Sequence, residues 1–389
     1  MARHAASFPV AGWVKHYSKQ RCLNDLIAAM IVAIMLIPQS LAYAMLAGLP
    51  PEVGLYASIA PLIAYALLGT SSTLSVGPVA ITSLMTGAAL AEVAQQGTAD
   101  YLTGAITLAA LSGIMLLGFG LLRLGFLANF LSHTVVSAFI TASALIIALS
   151  QIRYVLGIEV EGDNLFELVH AIGIQSNDAN LYTLLIGLAT LTFLFAVRFW
   201  GVGVLQKAGL SARTAELAAK SAPVIGVITS ILLTFRFELA DRGVAIVGTI
   251  PTGLPILAVP TFSLELVEML LIPAALISFI GYVESISVGR TLGAHRQERV
   301  DSNRELVGLG AENLSSAFSG ALPVTGGFSR SVVNFDAGAV TQGASVYTAI
   351  LIALVSLLLT PALYFLPKAT LAATIIVTVL SLVDLSIIR

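Results

Sequence analysis

Apolar runs long enough to cross a membrane recur along nearly the whole chain. Of its 389 residues, 57% are hydrophobic and 10% are charged, whereas soluble domains carry about 25% charged residues. The runs are about 17 to 25 residues long, the length of helix that crosses about 30 Å of hydrocarbon. The sequence therefore predicts an all-α polytopic membrane protein.

The runs and the breaks between them predict about twelve spans. They are expected at 24–47, 51–69, 74–93, 101–121, 126–150, 181–200, 222–235, 264–289, 305–321, 325–340, 344–366 and 369–388. Basic residues accumulate in short cytoplasmic loops, and the basic segments of this chain fall on one face of the predicted topology. That face includes residues 1–23, so we expect a cytoplasmic N-terminal arm in a multi-pass protein of the cell (inner) membrane.

Two apolar segments are interrupted by Gly and Pro in corresponding places of the two halves. They are Ser75-Val76-Gly77-Pro78-Val79-Ala80 and Pro323-Val324-Thr325-Gly326-Gly327-Phe328-Ser329-Arg330. The offset is about 246 to 250 positions, and the helix with a break at Pro38 matches the one with Glu284 at nearly the same offset. Paired broken helices in a repeat point to a transporter binding site.

The span count also predicts the domain organisation. About seven spans precede the loop at 237–263, so the second half enters from the opposite face and the repeat is inverted. We expect a first repeat at 24–236, an extracytoplasmic loop at 237–263 and a second repeat at 264–389 that is two spans short.

The broken segments predict a site for an anion. Unwound backbone at membrane depth is tolerated only where it lines a cavity or is buried in protein. Helices that begin near Val79 and near Ser329 would direct free N–H groups and positive dipole ends at one point. The alternative is that Gly77-Pro78 is a tight loop before an ordinary helix.

Arg330 indicates the sign of the ligand. A guanidinium inside a spanning segment costs about 2.5 to 3.5 kcal/mol on insertion scales and is seldom placed there without a partner. An anionic substrate is the partner we expect, with Ser329 offering a hydroxyl and a backbone N–H beside it. The alternatives are that Arg330 reaches an interface or pairs with Asp336 or Glu284.

Three further polar side chains are candidates. Glu284 lies within a predicted span, where a carboxyl group that changes protonation would couple transport to protons; a static ion pair is the alternative. Gln39 and Tyr43 are four residues apart on one helical face and could offer an amide and a phenol to the substrate. Their alternative is helix packing.

Several motifs carry a resemblance to one family. They are Ile37-Pro38-Gln39-Ser40-Leu41-Ala42-Tyr43-Ala44, Gly77-Pro78-Val79-Ala80, Glu284-Ser285-Ile286-Ser287-Val288-Gly289-Arg290 and Pro323-Val324-Thr325-Gly326-Gly327-Phe328-Ser329-Arg330-Ser331. The chain resembles the SulP anion transporters, the sulfate permease family, over nearly its whole length. This resemblance implies two inverted seven-helix repeats divided into a core and a gate domain, with elevator-type movement of the core. The two final gate helices and the cytoplasmic STAS domain would be absent.

The resemblance also implies the roles of individual residues. Gln39, Tyr43, Ser329 and Arg330 match positions that surround the anion, together with backbone at Val79 and Ala80. Glu284 matches the proton carrier. Relatives that move bicarbonate with sodium have Asp at that position, so this chain is closer to the proton-coupled sulfate branch.

We therefore expect a proton-coupled secondary transporter of a small inorganic anion, with sulfate the leading candidate and bicarbonate the next. Sodium-coupled bicarbonate or dicarboxylate transport and a passive anion channel are the alternatives. No enzyme activity, cofactor, metal or nucleic-acid partner is expected, since Cys22 is the single cysteine and the 5 histidines are scattered. The partners are the anion, the proton and the bilayer, and homodimer formation is left open.

Overall fold

The computed structural model describes residues 13–15, 17–129, 133–158, 165–175, 178–380 and 383. In these residues the chain folds almost entirely as helices. The elements are α1 (Lys19–Leu46), α2 (Pro51–Tyr56), α3 (Ala60–Leu68), β1 (Val76–Gly77), α4 (Ala80–Ala91), α5 (Ala99–Leu121), α6 (His133–Leu156), α7 (Leu165–Gln175), α8 (Leu181–Ala196), α9 (Val202–Lys207), α10 (Ala212–Lys220), α11 (Ala222–Arg236), α12 (Leu264–His295), α13 (Ser302–Phe318), β2 (Thr325–Gly326), α14 (Phe328–Ala337), α15 (Gly343–Leu358) and α16 (Lys368–Leu380). Short 3-10 turns cover Leu124–Asn129 and Thr360–Leu363, and a π-helical turn covers Val197–Gly201.

Several of these helices suit a membrane. Within the described residues, five are long and apolar enough to cross one: Lys19–Leu46, Pro51–Leu68, Ala99–Leu121, Leu181–Lys207 and Leu264–His295. A sixth candidate is the pair Thr214–Lys220 and Ala222–Arg236, bent by 45°. Shorter apolar helices cover Ala80–Ala91, Thr141–Leu156, Gly343–Leu358 and Lys368–Leu380. The all-α membrane class is as expected, and the count of twelve spans stays a prediction.

The predicted break at Pro38 is wrong. Helix α1 runs unbroken from Lys19 to Leu46 with Pro38 inside it. Proline removes one N–H donor, but membrane helices tolerate it where neighbouring elements hold the chain. Helix α1 is packed against α2, α4 and α14, and these contacts keep it continuous.

Other predicted boundaries also differ from the structure. Helix α1 starts at Lys19, where the Ser18 hydroxyl accepts from the Arg21 N–H at 3.3 Å, so it begins inside the predicted arm. Helices α7 and α10 occupy segments without a predicted span, because a search for long apolar runs does not detect short amphipathic helices. Residues 1–12 and 16 of the predicted arm, and 381–382 and 384–388 of the last predicted span, lie outside the described residues.

The chain divides into two compact units, each drawn from both halves of the sequence. Unit 1 comprises Met1–Leu131 and Gly253–Ser356, and unit 2 comprises Ser132–Thr252 and Leu357–Arg389. Unit 1 therefore contains α1 to α5, α12 to α14 and all but the last two residues of α15. Both interrupted segments belong to unit 1.

Glycines bring α5 and α13 together in unit 1. A Cβ atom on Gly113 would lie 2.8 Å from the Leu314 nitrogen and 3.0 Å from the Gly310 carbonyl oxygen. A Cβ on Gly310 would lie 2.7 Å from the Leu117 nitrogen. The two backbones are in contact at these positions, as is common where small residues line helix interfaces in membranes.

In unit 2, α16 is the central helix and packs against α6, α8 and α11. Val155, Ala372 and Ile376 form a buried cluster there. A backbone hydrogen bond holds the start of α16, since Lys368 N–H donates to the Ala245 carbonyl at 2.9 Å.

A buried carboxylate holds the start of α1 against the turn after α14. Asp25 accepts from the N–H groups of Val340 (2.6 Å) and Thr341 (3.1 Å) and from the Thr341 hydroxyl (2.5 Å). The Tyr17 hydroxyl donates to the same carboxylate at 3.1 Å. Burial, a hydrogen bond with Tyr347 and the nearby Asp25 charge raise the pKa of Tyr17, so this phenol stays a neutral donor.

Two glycines of α5 test the close packing against α13. We expect Gly113→Ala to destabilise the protein by about 1 to 3 kcal/mol, because the added methyl group overpacks a backbone contact. Gly118→Ala on the same helix meets nothing within 4 Å and should be neutral or slightly stabilising, since alanine favours helix. Thermal melting of the purified variants measures both effects, and equal melting temperatures would contradict the packing described.

Candidate functional site

The two interrupted segments pair directly with each other. Strand β1 pairs antiparallel with β2, with Val76 opposite Gly326 and Gly77 opposite Thr325. Gly327 N–H also donates to the Ser75 carbonyl at 3.1 Å. The correspondence seen in the sequence is therefore a physical contact between the two halves.

Polar side chains from α12 and α13 hold β2 in place. The Ser285 hydroxyl accepts from the Gly326 N–H at 2.9 Å and lies 2.8 Å from the Thr325 hydroxyl, which donates to the Gly281 carbonyl at 2.8 Å. Asn313 bonds both backbone groups of Val324, at 3.0 Å to its N–H and 2.8 Å to its carbonyl. These bonds satisfy non-helical backbone that has no water available to it.

Side chains of α14 hold the segment before β1. The Ser331 hydroxyl accepts from the Ser75 N–H at 2.9 Å and donates to the Gly327 carbonyl at 2.7 Å. The Asn334 amide donates to the Thr73 carbonyl at 3.1 Å. The second broken segment thus fixes the position of the first.

Two helices begin at this pairing without side-chain caps. Helix α4 begins at Ala80 after Val79, and α14 begins at Phe328 after Gly327; neither capping residue supplies a side-chain hydrogen bond. Val79 and Ala80 are buried. The helix starts predicted near Val79 and Ser329 are confirmed to within a residue, and both helices present N–H groups of partial positive charge.

Arg330 is buried at the pairing of β1 with β2, with a relative exposure of 2%. Its Nη1 donates to the Pro78 carbonyl at 2.5 Å, while Nε and Nη2 have no hydrogen-bond partner. The alternative in which Arg330 reaches an interface is therefore wrong. Its guanidinium joins the two halves and keeps further donors unused.

Two glycines leave room for this guanidinium. A Cβ on Gly327 would lie 3.0 Å from Arg330 Nη2, and one on Gly77 would lie 3.4 Å from it. Gly77 also has φ +143°, a conformation that side chains disfavour. The backbone conformation therefore favours glycine at Gly77, and a side chain at Gly327 would press on the guanidinium.

Glu284 and Tyr43 share the electrostatic environment of Arg330. Both are buried and both lie in electrostatic range of the guanidinium. Glu284 Oε2 has no hydrogen-bond partner, so the guanidinium donors left unused by Pro78 do not reach that oxygen. The structure places a carboxyl group, a phenol and a guanidinium together.

The remaining predicted side chains are less closely connected. Gln39 is buried one turn before Tyr43 on α1 and forms no hydrogen bond with the other candidates within the described residues. Ser329 is half-buried beside Arg330. Helix α1 packs against both α4 and α14, and Tyr43 lies in electrostatic range of Arg330.

Sequence reasoning missed two carboxyl groups on α13. Glu305 and Glu312 are both fully buried. They are seven residues apart, which places them on one helix face, and both lie inside the predicted span 305–321. An ionisable residue within a span is a functional hypothesis by default, and this signal could have identified Glu312. In the described residues no group of three or more His, Cys, Asp or Glu side chains could hold a metal ion.

The family model of the sulfate permease family matches residues 23–389. The chain belongs to this family. It is 36% identical over 379 residues to sulfate transporter 4.1, chloroplastic, of Arabidopsis thaliana, covering 97% of this chain and 54% of that protein. The chain thus spans about half the length of this relative.

Two solved structures share the fold of this sulfate permease family member. The murine Solute Carrier 26 family member A9 anion transporter, in the inward-facing state, aligns with TM-score 0.88 at 25% identity, covering 98% of this chain and 66% of that chain. The transmembrane domain of the cyanobacterial bicarbonate transporter BicA aligns with TM-score 0.83 at 22% identity, covering 95% and 91% respectively. The second likeness concerns the fold alone.

Two serines of α14 test how the paired segments are held. We expect Ser331→Ala to lower the unfolding free energy by about 1 to 3 kcal/mol, because the buried Ser75 N–H loses its acceptor. Ser329→Ala is the matched control, since that half-buried hydroxyl accepts no such bond and should change stability little. Thermal melting compares the two variants, and a control as unstable as Ser331→Ala would contradict this account.

Proposed function

We propose that this chain is the membrane part of a secondary active transporter that carries sulfate with protons. The observation that supports this most is the buried Arg330, whose Nε and Nη2 are unpartnered between two uncapped helix starts. An unpaired cation is costly inside a membrane protein. A bound anion removes that cost, which makes the anion the natural partner.

The donor set suits an oxyanion. Guanidinium donors in a fixed fork match the geometry of two oxygens and form strong charge-assisted bonds. Backbone N–H groups of α4, beginning at Val79 and Ala80, and of α14 at Ser329 would complete the shell. We assign Gln39 and Tyr43 as neutral donors from α1. The relative from Arabidopsis is named a sulfate transporter, which favours sulfate over bicarbonate.

Glu284 is our candidate for the proton carrier. It is buried and in electrostatic range of Arg330. An anion beside Arg330 cancels the positive field that favours an ionised carboxylate, and so favours the protonated form. Loss of the anion reverses this preference. A proton and an anion would therefore bind together and leave together, as a symporter requires.

All of the proposed site residues lie in unit 1. This supports an elevator-type cycle in which unit 1 is the core that carries the anion and unit 2 is the gate. We keep the division into inverted repeats, the cytoplasmic N-terminus, the inner-membrane location and a homodimer as parts of the same proposal. The sodium-coupled alternative differs from this proposal in the coupling ion, and the passive channel differs in having none.

Replacement of Glu284 by Gln tests the coupling. In proteoliposomes with an inside-alkaline pH gradient, we expect the wild type to accumulate labelled sulfate above equilibrium. Glu284→Gln should lose this accumulation and keep sulfate–sulfate exchange, because the amide cannot carry a proton. A sodium gradient in place of the pH gradient tests the sodium-coupled alternative, and competition by bicarbonate tests the substrate.

Two outcomes would count against this scheme. Gradient-driven accumulation that survives Glu284→Gln would remove the assigned proton carrier. Downhill flux with no dependence on pH in the wild type would instead favour the passive channel.

Replacement of Arg330 by Lys tests the anion site itself. Lysine presents a single ammonium group and cannot form the fork, so we expect sulfate affinity to fall about tenfold or more, or about 1.4 kcal/mol. Arg290→Lys at the exposed end of α12 is the matched control and should bind as the wild type does. Calorimetric titration with sulfate measures both, and unchanged affinity in Arg330→Lys would exclude the guanidinium from the site.

A further inference from the structure

Helix α13 carries two buried carboxyl groups in different circumstances. Glu305 accepts three bonds, from the Tyr65 hydroxyl, the Thr70 N–H at 3.1 Å and the Thr70 hydroxyl at 2.6 Å. Both oxygens of Glu312 are buried and have no hydrogen-bond partner. A carboxylate in this situation lacks the donors that would stabilise its charge.

The packing of α13 prevents Glu312 from escaping this position. On one side, a Cβ on Gly308 would lie 2.8 Å from the Gly69 Cα atom. On the other, a Cβ on Gly310 would lie 2.7 Å from the Leu117 nitrogen. Backbone contacts with the C-terminal end of α3 and with α5 hold α13 in place. The helix therefore cannot turn about its axis to expose Glu312 to water.

Few charged groups reach Glu312. Glu305 of the same helix and Arg330 of α14 lie in electrostatic range of it. Among the helices packed on α13, Tyr65 of α3 is engaged with Glu305, and Tyr282 of α12 donates to the Gly125 carbonyl at 2.6 Å. Arg330 is thus the cation that Glu312 shares with Glu284.

We propose that Glu312 is a second proton-binding site, which holds a proton at neutral pH and holds it more firmly when an anion lies at Arg330. The second part rests on the proposed function. Proton binding forms an O–H bond on the Glu312 carboxylate and neutralises its charge; the proton comes from a hydronium ion of the solvent, which is left as water. An anion at Arg330 adds negative charge nearby, which favours the neutral form of Glu312. Proton binding at Glu312 and anion binding at Arg330 therefore strengthen each other.

Infrared spectroscopy of the protein in lipid nanodiscs tests this proposal. A neutral carboxylic acid has a carbonyl-stretch band that is separate from that of carboxylates and shifts in heavy water. We expect the wild type at neutral pH to show such a band, and Glu312→Gln to lose it. Glu298→Gln, which removes an exposed carboxylate bonded to Ser72, is the matched control and should keep it.

Sulfate then tests the link to Arg330. This test is made at an alkaline pH at which the Glu312 band of the wild type has partly disappeared, and added sulfate should restore it there. Glu284→Gln and Glu312→Gln should each lose part of this change, and the double variant should abolish it. Sulfate binding is measured on the same samples by calorimetry.

Each contrary result has a distinct meaning. A neutral-pH band that is the same in the wild type and Glu312→Gln overturns the proposal, whether or not sulfate binds. Sulfate that binds at the alkaline pH without changing the Glu312 band overturns the link to Arg330. Sulfate that does not bind overturns the proposed function, while the band at neutral pH still decides whether Glu312 carries a proton.

Stability provides a further check. Glutamine is close in shape to a neutral glutamic acid, so Glu312→Gln should melt near the wild-type temperature. If Glu312→Gln melts far below the wild type or does not fold, Glu312→Asp keeps the carboxyl group and should shift the band without abolishing it. A band that is unchanged in Glu312→Asp would overturn the proposal.

Discussion

A buried guanidinium is the constraint on which unit 1 depends. Arg330 donates one hydrogen bond to the Pro78 carbonyl, at 2.5 Å. This bond connects the second half of the sequence to the first. Because water is excluded, the remaining charge of Arg330 must be balanced by neighbouring groups or by a ligand. Glu284, Glu312 and Tyr43 all lie within range of this one charge.

The backbone around Arg330 shows how irregular structure is maintained inside a membrane protein. Strands β1 and β2 are two residues each, too short to be stable alone. Backbone N–H groups in β2 and just before each strand are satisfied by Ser285, Asn313 and Ser331. These side chains come from helices of the second half, which therefore fixes the position of the first half's break.

The sequence predicted the helix class, the paired breaks and the starts of the half-helices well, because Gly and Pro act locally on the backbone. It predicted a break at Pro38 wrongly, since packing of α1 against its neighbours outweighs one lost hydrogen bond. The sequence also could not predict that the Glu312 carboxyl group lacks hydrogen-bond partners. Glu305 and Glu312 look alike in sequence, and only tertiary contacts with Tyr65 and Thr70 distinguish them.

The surroundings of Arg330 are shaped by two residues without side chains. Gly77 and Gly327 place no side chain against the guanidinium, and a single methyl group at Gly327 would come within 3.0 Å of it. Alanine scanning, which elsewhere removes atoms, adds them at these two positions. A map of the site drawn from truncations would therefore leave out two of the residues that shape it.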